Sequence, residues 1–175
     1  SLTGNSGTNP ATHFIGTTDN NDVIFKRNNT RAGLIGITNT SYGINALNAA
    51  STGINNTANG YQSLFSNTTG GANSSNGRDA LFSNTTGSSN TANGYQALYA
   101  NTFGTNNTAN GSVSLRFNTT GDFNTANGVG ALFSNTSGDD NTANGYLALY
   151  SNTSGYNNSA SGLKALYSNT NGSQN

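Results

Sequence analysis

Asn56-Thr57-Ala58-Asn59-Gly60-Tyr61-Gln62-Ser63-Leu64-Phe65-Ser66-Asn67-Thr68-Thr69-Gly70-Gly71-Ala72 is one unit of a pattern that returns every 17 residues. Its Asn-Gly pair recurs with glycines at Gly60, Gly77, Gly94, Gly111, Gly128 and Gly145, and Gly43 and Gly162 extend the column. A second glycine column runs through Gly36, Gly53, Gly70, Gly87, Gly104, Gly121, Gly138, Gly155 and Gly172. A leucine column is unbroken at Leu47, Leu64, Leu81, Leu98, Leu115, Leu132, Leu149 and Leu166. About eight repeats thus span residues 36 to 172 with no insertion or deletion, on the consensus N-T-A-N-G-Y-x-A-L-F/Y-S-N-T-T-G-x-x.

A period of 17 is too short for two helices, and each unit holds helix-breaking glycines and turn formers. It suits one coil of a parallel β-solenoid, in which coils stack at about 4.8 Å and eight of them make a rod of roughly 40 Å. An inserted residue inside a coil would turn the later side chains to the wrong face, which explains the constant length. The expected fold is therefore all-β, a parallel β-solenoid over residues 36 to 175, with residues 1 to 35 as a small N-terminal β cap. The period cannot be traced before Gly36, and Lys26, Arg27 and Arg31 sit in that leading segment.

Within one coil, alternation makes Asn56 to Asn59 a strand with Ala58 inward and Thr57 and Asn59 outward. Gly60 turns the corner, and Tyr61 to Phe65 reads as a second strand. Ser63 and Leu64 cannot both face inward on a regular strand, so a bulge or bend is expected near Leu64. The leucine column lies inside. The column Asn67, Asn84, Asn101, Asn118, Asn135, Asn152 and Asn169 is expected to form an amide ladder that satisfies the turn. The Asn-x-Ser/Thr sequons at Asn67 and Asn84 then read as ladder positions. A core of one Ala and one Leu per coil, helped by an aromatic, is thin against about 1–2 kcal/mol of backbone entropy per residue. Self-association is the expected remedy.

Composition narrows the function classes. Only 7% of residues are charged and the net charge is zero, so no basic field is present for nucleic acid. No apolar stretch is long enough to insert into a membrane. There is no Cys, and the chain begins at Ser1 without a signal-peptide pattern, so it reads as a piece of a longer protein. His13 is the one histidine and has no second ligand in sequence, which argues against metal. Asp139-Asp140 reads as a solvated turn. No catalytic set, cofactor or metal site is expected, and the sequence names no ligand-binding residue. Two aromatic stripes, Tyr61, Tyr95 and Tyr146, and Phe65, Phe82, Tyr99, Phe133, Tyr150 and Tyr167, read as packing between coils or chains, or as platforms for sugar stacking.

The repeat resembles the N-T-A-V-G-Y-x-A-L-x-S-N-T-T-G repeats of bacterial tail-fibre-like surface proteins, akin to the left-handed β-roll heads of trimeric autotransporter adhesins and to mosaic adhesive trimer fibres. The stretch from Gly16 through Val23-Ile24-Phe25-Lys26 to Gly33-Leu34-Ile35 resembles the short module that precedes such repeats. The resemblance implies a left-handed β-roll and a parallel homotrimer. It also implies an extracellular or cell-surface location, and attachment through a cell-surface glycan or protein or the spacing of a binding tip. The family has Val or Ile before the corner glycine. This chain has Asn59, Asn76, Asn93, Asn110, Asn127 and Asn144 there, which the resemblance places on the trimer axis. A competing reading is an ice-binding solenoid that uses the exposed T-x-N array.

Overall fold

A computed structural model describes residues 17–19 and 21–175. His13 and the start of the cap lie outside the described residues. The elements are β1 (Val23–Arg27), β2 (Thr30–Ile35), β3 (Thr40–Tyr42), β4 (Thr57–Asn59), β5 (Ser74–Asn76), β6 (Thr91–Asn93), β7 (Thr108–Asn110), β8 (Thr125–Asn127), β9 (Thr142–Asn144) and β10 (Ser159–Ser161). All ten form one sheet in chain order. The hairpin of β1 and β2 runs antiparallel onto β3, and from there every pairing is parallel. Each step keeps the 17-residue register: Thr57 lies beside Ser74, Ala58 beside Ser75 and Asn59 beside Asn76. The result is a β-solenoid of about seven turns.

One short strand is all the regular structure a coil has. The expected second strand, Tyr61 to Phe65, is instead a run of turns in which Gln62 and Leu64 adopt φ of 55° and 53°. Their amides point opposite ways along the rod: Gln62 N donates back to Ile44 O at 3.1 Å, and Leu64 N donates forward to Ala80 O at 3.1 Å. This resolves the conflict over alternation. A left-handed leucine turns its side chain to the same side as its neighbour, so Ser63 and Leu64 are both fully buried. The conformation costs an L-residue about 1–2 kcal/mol, and burying the leucine returns about 1.5–3 kcal/mol.

The leucines from Leu64 to Leu149 are fully buried and Leu47 is 3% exposed, whereas Leu166 is 38% exposed because no coil of this chain lies over it. The core is richer than Ala plus Leu. A second alanine column (Ala80, Ala97, Ala131, Ala148) is fully buried, and so are two asparagine columns. The aromatics sit outside it, with Phe65 40% exposed. One chain thus closes its own core, and the argument from a thin core to self-association fails.

Ser75 stands where other coils have inward Ala, and Ser63 where others have Ala. The two meet across adjacent coils, Ser63 Oγ to Ser75 Oγ at 2.7 Å, and Ser75 Oγ donates on to Ala80 O at 2.9 Å. A polar group in the stack is tolerated because its partner sits one coil away.

Leu98 is predicted to carry the central coils. Leu98→Ala should cost about 2–5 kcal/mol in chemical denaturation, as a leucine removed from a packed core does. Leu98→Asp should abolish the cooperative transition, because the charge would sit unpaired in an apolar stack. An unchanged midpoint for Leu98→Asp would contradict the placement.

Candidate functional site

Two asparagine columns meet at one carbonyl in each coil. In the coil of β4, Asn56 Nδ2 and Asn67 Nδ2 both donate to Gly70 O, each at 2.9 Å. Asn56 opens the coil and Gly70 nearly closes it, so the two amides pin start, turn and end together. The pairing repeats as Asn73 and Asn84 on Gly87 O, Asn90 and Asn101 on Gly104 O, and onward to Asn158 and Asn169 on Gly172 O. Each column also bonds along the rod. Asn84 Nδ2 donates to Asn67 Oδ1 at 2.8 Å, and Asn73 N donates to Asn56 Oδ1 at 3.1 Å. The glycine is required by space: a Cβ on Gly87 would stand 2.5 Å from both Asn84 Oδ1 and Gly104 O.

The Asn67 column is thus the ladder expected from the sequence. The Asn56 column was missed. In sequence it reads as the first strand residue; the strand begins at Thr57, and Asn56 is buried as a turn-closing amide. Its signal was present: Asn39, Asn56, Asn73, Asn90, Asn107, Asn124, Asn141, Asn158 and Asn175 form a column without one exception. A polar position that never varies in a repeat is a satisfied buried group rather than a solvated one.

The third asparagine column faces outward. Asn59, Asn76, Asn93, Asn110, Asn127 and Asn144 bond lengthwise, amide to amide, as in Asn76 Nδ2 to Asn93 Oδ1 at 2.9 Å and Asn127 Nδ2 to Asn144 Oδ1 at 2.8 Å. From Asn93 to Asn144 these side chains are exposed, while Thr91, Thr108, Thr125 and Thr142 beside them are half-buried. Each ladder amide keeps a second N–H, and the four threonine hydroxyls make no hydrogen bond among the described residues. The face is therefore two ranks of hydrogen-bonding groups repeated once per coil. The corner glycines beside it hold φ between 117° and 143°, a region closed to side chains with a Cβ, and set the angle at which the face ends.

The aromatic stripes pack between coils. Phe65, Phe82 and Tyr99 stack at 5.3 and 5.2 Å between centroids, and Phe133, Tyr150 and Tyr167 stack at 4.9 and 5.2 Å. Arg116 fills the step between the two runs, its guanidinium carbon 5.7 Å from the Tyr99 centroid and 5.8 Å from that of Phe133. Arg78 does the same between Tyr61 and Tyr95, at 5.7 and 6.0 Å. A planar guanidinium takes the place of a ring because both present a flat face at the coil spacing. The inner faces of Tyr61 and Tyr95 are therefore covered.

Asp139 is a cap rather than a free carboxylate: its Oδ1 accepts from Asp122 N at 2.8 Å, as Asp122 Oδ1 accepts from Thr105 N at 2.6 Å. Among the described residues no three His or Asp side chains gather as a metal centre would need. Among the described residues no helix is long and apolar enough to cross a membrane. No known protein family, curated protein or solved structure matches the chain.

Buried and exposed asparagines should separate cleanly on mutation. Asn101→Ala leaves Asn84 Oδ1 and the Asn118 amide without their partner in a dry interior, at about 1–3 kcal/mol for each orphaned group. Asn93→Ala exposes its neighbours to water and should cost less than about 1 kcal/mol. Equal costs in urea denaturation would contradict the assignment of the two columns.

Proposed function

We propose that this chain is a rod segment of an extracellular trimeric fibre that attaches to a surface or spaces a binding tip. Its T-x-N faces turn toward a common axis. The observation that carries this reading is the T-x-N face itself. It runs along the six stacked strands β4 to β9 and offers an amide N–H and a hydroxyl per coil. A second and third copy of the same rod share its pitch, so contacts made in one layer recur in every layer without loss of register. Asn59, Asn76, Asn93, Asn110, Asn127 and Asn144 would line that axis. Their lengthwise bonds leave one amide N–H each for a neighbouring chain or a bridging water. The likeness of the repeat to tail-fibre and adhesin repeats supports the same reading. Recognition would be of a cell-surface glycan or protein, with no chemistry performed.

A second reading rests on a separate observation: one chain buries its core unaided, so the T-x-N face needs no partner. A flat, periodic array of hydroxyls and amides left in water can order that water, and an ice surface is then the ligand.

Mass in solution divides the two. Light scattering should give three times the chain mass of 17.9 kDa for the fibre segment. A mass of one chain contradicts the trimer, and inhibition of ice growth becomes the decisive assay.

A further inference from the structure

The aromatic ladder starts one coil late. The position that is Phe65, Phe82 and Tyr99 in successive coils is Asn48 in the first. Rings in this column stack about 5 Å apart, so a missing ring leaves a vacant step on the Asn48 side of Phe65. A cleft of about 420 Å³ opens at that place, lined by Arg31, Asn45, Leu47, Asn48, Phe65 and Ser66 among others. Its volume is within the range of small-ligand sites.

The walls differ in character. Phe65 supplies one apolar face, and the ring is 40% exposed. Asn45, Asn48 and Ser66 supply polar side chains around it. Arg31 comes from β2. Its Nη2 donates to Ala46 O at 3.2 Å and to Leu47 O. Ala46 O is the acceptor that in later coils takes the leucine N–H of the coil before, as Ser63 O takes that of Leu47. The guanidinium therefore caps the end of the rod with one nitrogen. The others make no hydrogen bond to the described residues. Burial lowers the Arg31 pKa from its ordinary value, which marks a charge partly withdrawn from water. No aspartate pairs with it, since the one salt bridge among the described residues is Arg78 to Asp79, and the sixteen leading residues and residue 20 include no Asp or Glu. A half-buried, unpaired guanidinium beside an open aromatic face is complementary to a flat group that carries a carboxylate.

We propose that this cleft is a subsite for a carboxylate-bearing pyranose, whose C–H face stacks on Phe65 and whose carboxylate pairs with Arg31. The aromatic ring has a negative face and the axial C–H groups of a sugar are weakly positive, so the two attract while the hydroxyls reach Asn45, Asn48 and Ser66. Uronic acids and sialic acids share this chemistry. The cleft belongs to one chain, so the proposal does not depend on the fibre reading: sugar binding tests the one and solution mass the other.

The test uses the whole chain and isothermal titration with three probes: a glucuronic-acid disaccharide, N-acetylneuraminic acid and neutral cellobiose. One or both acidic sugars should bind with a Kd on the order of 1 mM, with cellobiose at least about tenfold weaker. Which acidic sugar binds identifies the source. The decisive variant is Asn48→Phe, which extends the ladder by one ring into the cleft. It should bind no sugar while melting at or above the temperature of the parent chain. Binding that survives Asn48→Phe overturns the proposal, as does cellobiose binding equal to that of the acids, or no binding by the parent chain. Should Asn48→Phe fail to fold, Ser66→Phe at the rim gives the same occlusion without entering the ladder, with the same two outcomes.

Discussion

A single carbonyl oxygen in each coil accepts two amide hydrogens, and the rest of the structure follows from it. Gly104 O takes one N–H from Asn90 and one from Asn101, both at about 2.9 Å. Asn90 opens the coil and Asn101 stands at its last turn, so the carbonyl closes a loop that has only three residues of regular strand. Both lone pairs of a buried acceptor are used and neither amide is wasted. The glycine must be a glycine because the amides of its own coil and the next approach where a Cβ would be. The asparagines must then be buried, and so the adjacent columns are too. Leu98 and Ala97 fill the space that remains beside this polar seam.

The second constraint is that every residue meets its own column. A coil shorter or longer by one residue would face Asn with Thr and Leu with Ala. Inside the stack, like therefore sits on like: amide on amide, alanine on alanine. Two departures from this rule are complemented by a neighbouring coil. Ser63 lies against Ser75, and Arg116 lies between Tyr99 and Phe133. The outward columns are under the same rule for a weaker reason, since water can substitute for a partner. Their regularity, as in the Asn93 to Asn144 row, reflects the pitch of the rod, and any ligand or second chain that uses this face must match that pitch. The first vacant step, at Asn48, is a break in the rule with nothing opposite it.

Much of this was legible in the residues. The spacing of Leu47 to Leu166 showed the coil and its inner face, Ala58 oriented the strand, and the Asn67 column read correctly as a ladder. What stayed hidden has physical causes. The leucines adopt left-handed backbone, which no propensity scale favours, so Tyr61 to Phe65 looked like a strand. Asn56 reads as an ordinary polar residue at the start of a strand; its place on the same side as Ala58 and its constancy through the repeats both pointed inward, but a polar side chain is not counted toward a core until its partner, the Gly70 carbonyl, is seen. Arg116 reads as an interruption in an aromatic stripe until the guanidinium is seen as a planar substitute for a ring. The outward T-x-N columns were placed correctly, but exposure is a property of a single chain and does not by itself name what they meet.

The central claim is that register, the pairing of each column with itself at 17 residues, holds the molecule together. Deleting residues 73–89 removes one whole coil and joins Ala72 to Asn90, restoring every column. Deleting residues 73–88 removes one residue fewer and shifts all later columns by one. Thermal unfolding followed by circular dichroism should show a cooperative transition for the first deletion, with a modestly lower Tm. The second should lose that transition for the coils beyond the junction. Equal melting of the two deletions would contradict the account.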